Sequence, residues 1–187
     1  MTKLAPLLIL LMPLASAHRP EPAQERLEIG NPKISHVVVG NFVDGTEVFT
    51  VVLDYDEPFA MPMELLIPWD EALENHRPVF AVVGPGLPEP SDELQAWLPM
   101  EVPDGEGVIV EYNDEPEREV YFERVMRRTM WTSGSVGFHL PSASTYEIWI
   151  WSPDFSVGEF WFGFGVEEDF SGGAWDPIFE EWAVFAW

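Results

Sequence analysis

From residue 36 onward, short apolar runs alternate with turn residues at strand rather than helix spacing. His36 to Phe42 is rich in valine and ends at the turn signal Asp44-Gly45. Glu47 to Leu53 follows, β-branched and aromatic, and the seven residues 41–47 between the two runs predict a hairpin. Met63 to Ile67 and Val79 to Val83 are two further strands, closed by Pro68 and by Gly84-Pro85-Gly86. Strands resume at Gly107 to Tyr112, Glu119 to Val125, Val136 to Leu140, Tyr146 to Trp151 and Glu159 to Val166. The strands are not separated by helical patterns of the length a parallel crossover needs. The pattern predicts an all-β fold, an antiparallel two-sheet sandwich resembling a jelly roll.

Few segments read as helix. Ser91-Asp92-Glu93 opens a short helix over Asp92 to Leu98, inside a proline-bearing loop region at 85–105. Trp69 to His76 is a second candidate. Asp176-Pro177 is an N-cap and N1 pair, and Ile178, Trp182 and Phe185 then share one face of an aromatic C-terminal helix over 176–187.

Two strands are apolar on both faces. In Glu147-Ile148-Trp149-Ile150-Trp151 the isoleucines take one face and the tryptophans the other. In Phe160-Trp161-Phe162-Gly163-Phe164, Trp161 opposes the phenylalanines. A half-exposed strand alternates with polar residues, so something covers the second face. The C-terminal helix is the nearest candidate; otherwise Trp149, Trp151 and Trp161 form an open platform for a sugar or a partner.

The first residues have a different pattern. Lys3, the apolar run Leu4 to Leu14 and the small residues Ala15-Ser16-Ala17 match a secretory signal peptide over 1–17. The run is shorter than a membrane span and contains Pro6 and Pro13, so no transmembrane segment is expected after cleavage. Residues 18–30, polar and proline-bearing, read as a flexible N-terminal arm, and 31–175 as the sandwich domain.

Composition narrows the setting. The formal net charge is −24, from 33 acidic and 9 basic residues, and Lys33 is the one lysine beyond the signal. Such a surface repels nucleic acid. There is no cysteine, hence no disulfide framework. Asn31, Asn41, Asn75 and Asn113 all lack Ser or Thr two places on. Together these lean towards a secreted or periplasmic protein of a prokaryote. Seven of the nine tryptophans lie between Trp131 and Trp187.

Residues 118–166 carry Phe138-His-Leu-Pro141, then Ser144-Thr145-Tyr146-Glu-Ile-Trp-Ile, then Gly158-Glu159-Phe160-Trp-Phe. This stretch resembles the bacterial pre-peptidase C-terminal domain, with Ser144 where glycine is usual. The resemblance implies a non-catalytic β-sandwich accessory or binding domain and names no ligand.

Candidate chemistry is sparse. Ser133-Gly134-Ser135 lacks the glycine that a nucleophile elbow needs two places before its serine and reads as a turn. Signal cleavage makes His18 the N-terminus, where an α-amine and imidazole chelate copper; His36, His76 or His139 would complete the site. Asp54, Asp56 and Glu57 form a fragment of a calcium site, as do Asp104-Gly105-Glu106 and Glu167-Glu168-Asp169. The expectation is an exported, non-enzymatic module for a protein or glycan partner. The alternatives are a copper protein built on His18 and a calcium-stabilised carbohydrate-binding module.

Overall fold

The computed structural model describes residues 19–115, 117–123, 127–132 and 135–167. The strands, in order, are β1 (Arg19–Pro22), β2 (Arg26–Ile29), β3 (His36–Phe42), β4 (Val48–Asp54), β5 (Phe59–Pro68) and β6 (Val79–Gly84). They continue as β7 (Gly107–Glu111), β8 (Glu119–Glu123), β9 (Arg128–Thr132), β10 (Val136–Leu140), β11 (Thr145–Trp151) and β12 (Gly158–Phe164). The one α-helix among the described residues is α1 (Asp92–Trp97), and a 3-10 turn spans Glu71–Leu73.

Two sheets pack as a sandwich. Sheet I runs β1-β3-β12-β5-β9-β8, with β10 also on β5; sheet II runs β2-β4-β11-β6-β7. The alternation read from the sequence sets their facing surfaces. Phe160, Phe162 and Phe164 of β12 meet Tyr146, Ile148 and Ile150 of β11 in one core with Val38, Met63, Val51 and Phe80.

The all-β sandwich is as expected, but the sheets are mixed rather than purely antiparallel. Residues 19–29, expected as an arm, hold β1 and β2, which run parallel to β3 and β4. Both are edge strands. Pro20 and Pro22 lack donors, yet Arg19 N and Ala23 N still bond Ser35 O and Val39 O at 2.8 and 2.7 Å. An edge strand needs donors on one side alone, which is why proline is tolerated there.

The expected hairpin at Asp44-Gly45 is a bridge between sheets, since β3 belongs to sheet I and β4 to sheet II. Asp44 accepts from Thr46 N at 2.9 Å, and Glu47 accepts from Val43 N at 2.6 Å. Gly45 has φ 79°, and a Cβ there would lie 2.2 Å from Phe155 O, so the bend is reserved for glycine.

The outer tryptophans of β11 are buried, and the proline-rich segment covers them. Trp149 and Trp151 pack with Val79, Ala81 and Val108 under Leu98 and Val102, with Leu94 and Met100 alongside. Ser91 caps α1 by accepting from Leu94 N at 3.1 Å. Gln95 pins the segment to itself, donating to Met100 O and accepting from Val102 N, both at 3.2 Å. Trp161 is buried on the outer face of sheet I with Val37, Leu66 and Met130. The expected C-terminal helix at 176–187 lies outside the described residues. Among them, no helix is long and apolar enough to cross a membrane.

Candidate functional site

The acidic fragment around β4 is occupied by the chain's own cation. Lys33 Nζ reaches Glu57 at 2.7 Å and Asp56 at 3.5 Å, and the hydrogen bond to Glu57 is the main reason its pKa is raised. Asp54 accepts from Thr145 Oγ1 at 3.1 Å. Among the described residues, no three His, Asp or Glu side chains form a metal-binding group.

The three described histidines are spread across the fold. His36 stacks on Phe164 at 5.3 Å, His139 is exposed on β10, and His76 precedes β6. His18, Ser133 and Gly134 lie outside the described residues, as do Glu168 and Asp169. Gly105 turns with φ 82° between Asp104 and Glu106.

The three tryptophans proposed as a platform are closed to solvent, so a sugar cannot stack on them. A different aromatic pair is open. Trp97, at the end of α1, and Tyr112, just past β7, are 39 % and 45 % exposed. Their rings lie 5.4 Å apart at 40°. Trp97 also meets buried Trp151 edge-on at 5.1 Å, which anchors the surface pair to the covered face of sheet II.

Tyr112 also borders a small cleft between the sheets, with room for about one water molecule. Met63 and Leu65 of β5, Phe80 of β6 and Val136 of β10 form its apolar wall. Glu111 and Asn113 supply the polar groups. Glu111 pairs across the ladder with Phe80, so the pleat turns its side chain inward with Ile109. Burial raises the Glu111 pKa, and Asp114 and Glu115 push it the same way. On the other face of sheet II, the open ring faces of Trp97 and Tyr112 suit a ligand with an apolar ring.

The chain matches no protein-family model and no curated protein.

Sequence reasoning missed this pair. Trp97 lay in the short helix read over Asp92 to Leu98, which forms as α1, but no role was given to it, and Tyr112 looked like one more strand aromatic. The available signal was the helix start at Ser91, which places Trp97 at the end of a turn anchored to the sheet.

Proposed function

We propose that the chain is an exported, non-catalytic β-sandwich module that binds a glycan through Trp97 and Tyr112. The observation that supports this most is the open ring pair, anchored to the covered face of sheet II through Trp151. The resemblance of residues 118–166 to pre-peptidase C-terminal domains supports the same class of accessory module. The signal-like segment 1–17 supports export. Calcium is the less favoured stabiliser, because Lys33 already pairs with Asp56 and Glu57.

The test is isothermal calorimetry of the chain starting at His18 against soluble neutral polysaccharides. Saturable binding that falls at least tenfold in Trp97→Ala and in Tyr112→Ala, with melting temperature kept, is expected. Binding indifferent to both substitutions, or none to any polysaccharide, rejects the reading.

One observation favours copper as a second reading. The β1–β3 register pairs Arg19, the residue that follows His18 in the chain, with His36. His36 Nδ1 is buried with no hydrogen bond and lies 3.6 Å from Glu21 Oε1. An amine and imidazole from His18 would add to that nitrogen. Mass spectrometry of the secreted chain decides first: any N-terminus other than His18 removes the chelate. Copper that raises the melting temperature of the His18 form, and not of its N-acetylated form, supports it.

A further inference from the structure

Most described basic side chains in this acidic protein meet a carboxylate. Arg19, Arg26, Lys33 and Arg128 do so within 3.0 Å, through Glu21, Glu147, Glu57 and Glu159. Arg77 and Arg118 do not. Both donate to the same two backbone oxygens. Arg77 Nη1 bonds Glu74 O at 2.6 Å and His76 O at 3.3 Å. Arg118 Nη2 bonds Glu74 O at 2.6 Å, and its Nη1 bonds His76 O at 3.3 Å. Two guanidiniums thus share one spot, and neither forms an ion pair with a carboxylate among the described residues. Arg127 has no such partner either, but it stands apart in the β8–β9 turn. The repulsion registers on Arg118, whose pKa is pushed down to about 10 by burial first and by Arg77 second, while Glu74 opposes the shift from a distance.

An apolar strip leads away from this pair. The Arg118 guanidinium lies 4.2 Å from the Trp131 ring centroid. Trp131 pairs across the ladder with Val120. The next row on that face pairs Phe122 with Thr129, and Thr129 O accepts from Trp69 N at 3.0 Å. Val120, Phe122 and Trp69 are 59 %, 54 % and 59 % exposed. Their row starts at the paired cations and runs along β8.

We infer that Arg77 and Arg118 bind the carboxylate of an apolar or aromatic molecule whose body lies along Val120, Phe122 and Trp69. The planar fork of a guanidinium matches a carboxylate bidentately, and between them the two arginines keep donors beyond those given to the carbonyls. The net charge of −24 selects against multiply charged ligands, because a dianion meets about twice the repulsion of a monoanion in the same field. The exposed strip selects for an apolar body. This surface belongs to sheet I and is independent of the Trp97–Tyr112 pair on sheet II.

The test uses the chain starting at His18 with four probes: decanoate, acetate, inorganic sulfate and inorganic phosphate. Binding is read by calorimetry and by tryptophan emission at low salt. Decanoate should bind at least tenfold more tightly than acetate or either inorganic anion. Arg77→Gln should weaken decanoate at least tenfold and keep its melting temperature, since Arg118 still satisfies both carbonyls. Phe122→Ser should weaken decanoate and leave acetate unchanged. Arg118→Gln is a second variant, to be read if it folds. Decanoate binding that Arg77→Gln does not alter overturns the proposal. So does sulfate or phosphate binding as tight as decanoate, and so does the absence of binding by all four.

Discussion

His76 carries a buried imidazole with one bond made and one missing. Its Nδ1 lies 2.8 Å from Ser156 Oγ, its Nε2 has no hydrogen bond, and Phe42 meets the ring edge-on at 5.6 Å. Burial pushes its pKa down to about 4; Arg118 and Arg77 push the same way, and Asp154 opposes them. An unfolded histidine titrates near 6.5. Between those values the unfolded chain binds the proton and the folded chain does not. The contribution is therefore complete above about pH 6.5 and is lost as pH falls towards 4. Glu64 and Glu111, whose pKa values are raised chiefly by burial, act in the opposite sense. A comparison with His76→Gln isolates the histidine. The variant should lose about 1 kcal/mol at pH 7 for the Ser156 bond. Its melting temperature should fall less steeply between pH 6.5 and 4, as followed by circular dichroism. Parallel curves would show that His76 does not titrate in that window. None of this was legible in the sequence, where His76 was one of four scattered histidines. Its environment is made by Ser156 and Phe42, residues far away along the chain.

At the element scale, strand alternation was the strongest signal and the covering of the sheets the weakest. Period-two patterns in β11 and β12 separated the two faces correctly, because a strand's pleat is local. What lies over Trp149 and Trp151 is a long-range contact, and five prolines made the 85–105 segment look like surface loop. Gly107 approaches Leu87 so closely that a Cβ would sit 2.0 Å from the Leu87 carbonyl oxygen, and Val108 N bonds Pro88 O at 2.8 Å. These contacts turn the loop into a lid. The N-terminal strands were hidden for a related reason: charged, proline-bearing edge strands resemble disordered arms. Gln95 is the lid's internal brace, with two side-chain bonds to backbone. Gln95→Ala should cost about 1–2 kcal/mol. Because Trp97 rests on Trp151, the same change should weaken glycan binding and raise acrylamide quenching of tryptophan. Unchanged quenching would show that the lid is held by Leu98 and Val102 alone.

At the scale of the whole molecule, charge is the quantity to test. Arg26, Arg19, Lys33 and Arg128 pair with carboxylates at the surface, where solvent and salt screen each pair. They involve few of the 33 acidic residues, so the folded state bears net self-repulsion. Folding concentrates that charge into a smaller volume, and salt screens it: the Debye length shortens from about 30 Å at 0.01 M to about 3 Å at 1 M. Raising sodium chloride from 10 mM to 500 mM should therefore raise the melting temperature. A gain of about 1–2 kcal/mol would appear as roughly 2–8 °C for a domain of this size. Screening depends on ionic strength rather than on the identity of a monovalent cation, so potassium chloride should give the same curve. Calcium chloride at matched ionic strength separates repulsion from a specific site. An equal shift leaves Asp54, Asp56 and Glu57 as surface acids, two of them held by Lys33. A larger shift that disappears in Asp56→Asn would mean that calcium displaces the Lys33 ammonium. A melting temperature that falls with salt would show that the surface pairs outweigh the repulsion, and that the acidic surface is less costly to fold than its charge implies.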